Sequence, residues 1–400
     1  MMTETKNNER VFTNRRERNY GIDLLRIVSM IMVTILHFSG YGGFLGTPEN
    51  GLSYYVLSLI MVICYGAVDI FAIISGFVMY NSTVKYTKII NLWLQVVFYS
   101  YILLILDKQI FHRPINILNV LSASFPVTIS DNLWYFAAYF IMFFFIPLYN
   151  KIISSFANGF LFNYIIICFA ILFIPTNISI LGLLDGYSFL WLSLCYLIGA
   201  FIKKNENFFN SISNRIYVVI IVVGMLITYC CYMPVWDNIN IFINYSPKDI
   251  LEKYNSLTVL LPSISFLMLF SRMNIKRGKR IIRFFSSTSF SVYIIQCLPF
   301  TWNNIITKLH TFFNAPTALE KIGLVLGVSV MFYLAASLVD SLRIQLFRLL
   351  HIDMFINLIC KLFSKIINAI KWQIKKHIKD WYNDVLYSML FWYIFLCDLS

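Results

Sequence analysis

Four hundred residues that are 59% hydrophobic, 18% aromatic and only 13% charged, with a mean hydropathy of +0.72, lie far from the soluble norm of about 45–50% apolar and about 25% charged. Such a chain cannot cover itself with polar surface, which excludes soluble enzymes, secreted disulfide scaffolds and disordered tails. Its runs are apolar on every side rather than alternating, which excludes an outer-membrane barrel. The net charge of +13 would suggest nucleic acid in a soluble chain; in a membrane chain it marks the loops that face the cytoplasm, and no nucleic-acid partner is expected.

The first 21 residues are polar and basic and run into an apolar span without a small-residue cleavage site, so they read as a cytoplasmic segment ahead of an uncleaved signal-anchor. Ten apolar runs of about membrane-crossing length follow, at 22–39, 56–80, 88–106, 132–150, 161–175, 183–202, 215–233, 256–271, 286–305 and 321–345. They predict an all-α integral membrane fold with one transmembrane domain over 22–345 and both termini on one side. With the amino end inside, 25 of the 32 Lys and Arg residues fall on the inner side and six on the outer side, while Arg26 lies within the first span. That asymmetry places both termini in the cytoplasm.

Two outer loops of moderate length are expected at 107–131 and 234–255. Residues 346–400 interleave Lys361, Lys365, Lys371, Lys375, Lys376 and Lys379 with Phe355, Ile359, Leu362, Ile366, Ile367 and Ile370, the pattern of an amphipathic helix on an anionic leaflet. Within this tail the run 385–397 is too short to span comfortably. The eight cysteines show no C-x-x-C pair, and His112, His310, His351 and His377 are scattered without ligand spacing, so no metal site is expected.

Ionisable groups inside a bilayer are costly, and those that persist are functional candidates. Arg26 and His37 in the first span are eleven residues apart, which returns to nearly the same helix face after a rise of roughly 16 Å. A permanent cation near the inner end suits a phosphorylated cytosolic donor. An imidazole near the outer end suits a general base acting on an acceptor. The plain alternative is that Arg26 snorkels and His37 bonds a carbonyl.

Asp69 lies by depth between Arg26 and His37, where it could neutralise the first or orient the second; a purely structural pairing is an equal reading. Asp23, three residues before Arg26, is the expected local partner of that arginine, and Asp340 that of Arg343. The basic cluster from Arg272 to Arg283 reads as a positive-inside anchor before a phosphate clamp. Trp134 and Tyr135 fit an outer aromatic belt as well as a sugar-stacking platform.

An arginine, ten residues and a histidine in the first span resemble the signature of the membrane-bound acyltransferase-3 family, which O-acylates surface polysaccharides and related glycans. Further matches come in order. Gly66-Ala-Val-Asp69-Ile-Phe71 with Ser75-Gly76-Phe77 is similar to the family's second-span acidic, aromatic and Ser-Gly-Phe elements. Leu133-Trp134-Tyr135 with Pro147, Tyr196-Leu-Ile-Gly199, and Phe290-Ser-Val-Tyr293-Ile-Ile-Gln296 resemble its later segments.

The resemblance covers about residues 20–345. It implies transfer of an acyl group, acetyl above others, from acyl-CoA to a hydroxyl of a cell-surface or lipid-linked glycan, by a multi-pass protein of the bacterial cytoplasmic membrane. His37 and Asp69 would be catalytic, Arg26 would hold the acetyl-CoA donor, and Trp134, Tyr135, Tyr293 and Gln296 would bind substrate. Gln296 stands where the family usually carries a histidine, and cannot titrate. The partners implied are the donor, the glycan and the bilayer, with a homodimer left open. Two readings from other classes are a transporter or flippase of a lipid-linked glycan and a polysaccharide polymerase; the former would show repeats and the latter a large outer loop, and neither is evident.

Overall fold

The computed structural model describes residues 18–47, 49, 51–126, 133–173, 184–233, 250–313 and 317–378. Among them the chain is helical, with no strand. The helices in chain order are α1 (Tyr20–Ser39), α2 (Leu52–Cys64), α3 (Ala67–Met79), α4 (Tyr86–Phe111), α5 (Ile117–Ser124), α6 (Trp134–Ser155), α7 (Asn158–Phe173) and α8 (Phe189–Lys204). Then come α9 (Glu206–Ser211), α10 (Asn214–Cys230), α11 (Leu257–Ser271), α12 (Lys279–Cys297), α13 (Pro299–Asn304), α14 (Leu309–Phe312), α15 (Ala318–Leu349) and α16 (Ile352–Ile378).

Among the described residues eight of the ten expected apolar runs overlap one main helix each, while 56–80 is shared by α2 and α3 and 286–305 by α12 and α13. Five stretches are long and apolar enough to cross a membrane: α1, the continuous Leu52–Met79 formed by α2 and α3, α4, α6 and α15. Lys279–Cys297 with Pro299–Phe312 makes a sixth when the pair is counted as one span, and it is bent by 60°. Helices α7, α10 and α11 are apolar but shorter. The expected runs 161–175 and 183–202 reach into residues 174–183, which lie outside the described residues, as do 1–17 of the basic amino-terminal segment, most of the loop 234–255 and the run 385–397.

The single run expected over 286–305 is in fact broken at Leu298. This residue precedes Pro299 and takes an extended conformation, φ −69° and ψ 146°, because the proline ring crowds an α-helical predecessor. The break turns α13 across the end of α12 and carries Trp302 toward the end of α1.

Helix α1 is the hub, packing against α2, α3, α11, α12 and α15. Its start is fixed by Asn19, whose side chain accepts from Gly21 N at 2.9 Å and Ile22 N at 3.2 Å and donates to Ser271 O at 2.6 Å, capping α1 and tying it to the end of α11. The tightest crossing is α3 against α8. Gly76 and Gly199 let the two backbones touch there, as small residues do between apolar helices that gain nothing from leaving lipid.

Behind the hub, Asp340 and Arg343 of α15 form the expected ion pair, Nε to Oδ1 at 2.6 Å, and Asp340 also accepts from Tyr99 at 2.8 Å and Ser291 at 2.6 Å. This network joins α4, α12 and α15 out of contact with the cavity described below. The tail follows as α16, which packs on α4 and α15.

Candidate active site

A cavity of about 830 Å³ runs inside the bundle along the length of α1, with Arg26 and His37 both among its walls. The eleven-residue spacing puts both side chains on one stripe, and the packing of α2, α3, α11, α12 and α15 around α1 turns that stripe inward. The volume is ordinary for a small-molecule site, and the lining mixes hydroxyls, aromatic rings and one guanidinium.

At the α1 start, Asp23 is almost fully buried and binds Arg18, Arg26 (Nη1 to Oδ1, 2.8 Å) and the Ser286 hydroxyl (3.2 Å). Among the described residues nothing else takes the Arg26 guanidinium, whose remaining N–H groups are left toward the cavity. Around it stand Ser75, Tyr139 and the hydroxyls of Ser286, Ser287 and Ser289 at the start of α12. The serine hydroxyls donate within the protein, to Asp23 and to the carbonyls of Phe284, Phe285 and Phe71, so the guanidinium is the group here with donors to spare, and it suits phosphate or carbonyl oxygens.

Midway, Tyr135 and Tyr293 meet edge to face with centroids 6.0 Å apart, and the Tyr293 hydroxyl accepts from the backbone N–H of Phe136 at 3.4 Å. Both line the cavity, so α6 and α12 are joined across its wall at this level.

At the far end His37 lies edge-on to Trp302 at 5.1 Å and to Tyr41 at 6.1 Å. Opposite stands a second aromatic group, Trp134 with Tyr187 at 4.5 Å and Tyr254 at 5.9 Å. Tyr65, also on the cavity wall, donates to Glu252, as does Tyr232 at 2.8 Å. Two aromatic walls with a carboxylate near the rim suit the apolar faces and hydroxyls of a sugar ring.

Five of the seven site residues expected from the sequence thus meet in one cavity: Arg26, His37, Trp134, Tyr135 and Tyr293. Two do not. Asp69 is fully buried behind the wall and pairs with neither Arg26 nor His37; its Oδ1 accepts from the Trp191 indole N–H at 2.8 Å, which ties α3 to α8. Gln296 is also fully buried, on the side of His37 away from the cavity, and donates weakly to the Met30 sulfur at 3.7 Å.

Arg272, at the head of the basic cluster, is a clasp. It donates to the carbonyls of Phe209 (2.5 Å) and Ile212 (2.9 Å) and to the Asn214 side chain (2.6 Å). No group of three or more His, Cys, Asp or Glu residues capable of holding a metal ion occurs among the described residues.

Sequence reasoning passed over Tyr41, Tyr139, Tyr187, Tyr254 and Trp302. Tyr139 was within reach of the helical period, four residues after Tyr135. Tyr41 was within reach for the same reason, four residues after His37; Trp302, Tyr187 and Tyr254 come from distant segments, and only the tertiary fold brings the first to His37 and the other two to Trp134.

A family model described as an acyltransferase domain matches residues 19–339, four-fifths of the chain. The chain belongs to the acyltransferase-3 family. Comparison with the curated proteins and with the solved structures gave no match. The acyltransferase-3 match takes in the whole cavity, from Asn19, which caps α1, to α15, and ends before α16. The protein is therefore an acyltransferase, and its long apolar helices make it a multi-pass membrane protein.

Proposed function

We propose that this acyltransferase moves an acyl group, acetyl in the simplest case, from cytosolic acyl-CoA to a hydroxyl of a glycan on the outer side of the bacterial plasma membrane. One observation carries the reading: a single cavity reaches from a guanidinium with unused donors to an imidazole roughly 16 Å further along the same helix. Arg26 holds oxygens of the donor at the inner end, so the charged coenzyme stays cytosolic and only its thioester arm enters the membrane.

The glycan stacks between the aromatic walls at the outer end. Its hydroxyl oxygen adds to the thioester carbonyl carbon while its proton passes to His37. The tetrahedral intermediate collapses with loss of the C–S bond, and the imidazolium returns the proton to the departing thiolate. Tyr135 and Tyr293 shape the passage, and Asp69 acts at one remove by holding Trp191 and the α3–α8 wall.

Ten spans with both termini inside fit the 25-to-six distribution of basic residues. The tail fits an interfacial helix, since Met354, Phe355, Leu358, Leu362 and Ile366 are exposed on α16, whose sequence carries Lys361 and Lys365. Membership of an acyltransferase family leaves the flippase and polymerase readings without support.

The test is comparison of the acyl content of the surface glycans in cells with and without the gene, joined to release of free CoA by the purified protein from acetyl-CoA. Loss of one ester from the glycan and glycan-dependent CoA release are expected. Unchanged glycans together with inert acetyl-CoA would refute the reading.

A further inference from the structure

Gln296 does not reach the cavity, so the substrate-binding role implied by resemblance does not explain why a primary amide is buried here. Two buried polar atoms among the described residues have no hydrogen-bond partner at this point: Nδ1 of His37 and Oε1 of Gln296. They belong to neighbouring side chains. The Gln296 amide is oriented by its other end, where Nε2 donates to the Met30 sulfur at 3.7 Å, so Oε1 is the atom left for the histidine. Nδ1 is buried while the ring lines the cavity, so Nε2 is the nitrogen available to a substrate. The ring itself is held edge-on by Trp302 and Tyr41, which fix its plane and leave its tautomer open.

We infer that Gln296 is a positioning residue: its Oε1 accepts from Nδ1–H of His37 and thereby fixes the tautomer whose unprotonated Nε2 faces the cavity. The inference rests on the proposed role of His37 as base and states how that base is prepared. A histidine's second nitrogen determines which nitrogen is free, and a neutral imidazole with the opposite tautomer would present an N–H to the acceptor hydroxyl and could not take its proton.

When Nε2 gains the acceptor's proton, both ring nitrogens become donors. The Nδ1–H···Oε1 bond then becomes charge-assisted, so the amide stabilises the imidazolium more than the imidazole. No bond to Gln296 forms or breaks. Among the groups shown against the ring, Tyr41, Trp302 and Gln296, none carries a charge, so the amide is the group through which the histidine is tuned.

Two measurements test this. The first needs no activity: the chain has five histidines, so ¹⁵N-histidine labelling of the full protein in lipid, with the His37 signal assigned by its loss in His37→Ala, reads the tautomer directly. Protonation at Nδ1 is expected in the wild type, with a shift toward Nε2 protonation in Gln296→Leu. Nε2 protonation in the wild type, or an unchanged tautomer in Gln296→Leu, would overturn the inference.

The second is kinetic. Gln296→Leu fills the space but removes the acceptor, and should lower kcat about 10–100-fold with little change in KM for the donor, by analogy with removal of the outer partner of a metal-bound histidine. Gln296→Glu keeps an acceptor and adds a negative charge, which favours the imidazolium; it should stay active, with the acid limb of its kcat/KM profile moved to higher pH. A residue that only fills space would give the reverse, a harmless leucine and a damaging glutamate, and that pattern would refute the positioning role. If the wild type fails to transfer acyl groups, or His37→Ala transfers normally, the proposed function fails, while the tautomer spectrum still decides the role of Gln296.

Discussion

A methyl group added at Gly199 is expected to disturb both stability and the cavity wall, and the structure gives the size of the effect. A Cβ on Gly199 of α8 would lie 2.0 Å from the carbonyl oxygen of Ile73 and 2.9 Å from both Ile73 C and Phe77 N. All three are backbone atoms of α3, so no rotamer change relieves the clash. Ordinary contact begins at 3.4 Å, so the helices must part by about 1.4 Å at their tightest crossing. Overpacking of this kind costs about 1–3 kcal/mol. The displaced helix carries Phe71 and Ser75 of the cavity wall and Asp69 behind it. Gly323 of α15 is the control, since a Cβ there meets nothing within 4 Å and alanine is the better helix former by up to about 1 kcal/mol. Thermal melting in detergent, followed by size-exclusion chromatography, should show Gly199→Ala losing its folded peak at a lower temperature than the wild type and Gly323→Ala melting at or above it. Equal melting of Gly199→Ala and the wild type would refute the close-crossing argument.

Arg26→Lys keeps the charge but loses the planar donors that Asp23 leaves free, so acetyl-CoA should bind more weakly to it, and more weakly still to Arg26→Ala; equal affinity in equilibrium binding to all three would contradict a donor role. Asp69→Asn retains an oxygen for the Trp191 indole and should keep most activity, whereas Asp69→Leu should lose both stability and activity; an inactive but fully stable Asp69→Asn would move Asp69 into the chemistry. Arg343→Met strands the fully buried Asp340 and should destabilise the protein by about 3–5 kcal/mol, while Arg343→Met combined with Asp340→Leu should recover much of that loss; a double variant as unstable as the single in the same melting assay would show that packing, not charge, is at stake.

The membrane class, the order of the helices and the stripe shared by Arg26 and His37 on α1 were legible because each rests on local sequence. Apolar length makes a span, and a spacing of eleven residues makes a shared face. The pairing of Asp23 with Arg26 and of Asp340 with Arg343 was legible for the same reason, both being three residues apart on a helix. What failed to show was set by contacts between distant segments. Asp69 was singled out by its depth in the span, but its partner Trp191 comes from α8, 122 residues away, and depth alone cannot say which way a side chain turns. Gln296 lies on α12 at the level of His37, yet on the far side of the ring from the cavity, a distinction that needs the α1–α12 packing. The break at Leu298 was written in Leu298-Pro299, but an apolar run over 286–305 hides it from hydropathy. The aromatic groups at this end had little sequence signal beyond the abundance of tyrosine: Tyr41 stands four residues after His37, but Tyr187, Tyr254 and Trp302 come from three distant segments.

The proposed role of His37, as the base at the outer end of a cavity that the donor enters from Arg26, is reached most directly by one comparison. Purified wild type and His37→Ala, in lipid with saturating labelled acetyl-CoA and the cell's own surface glycan, should differ in transfer rate by about 10²–10⁴-fold while binding acetyl-CoA equally and melting alike. Transfer by His37→Ala at the wild-type rate would contradict the account.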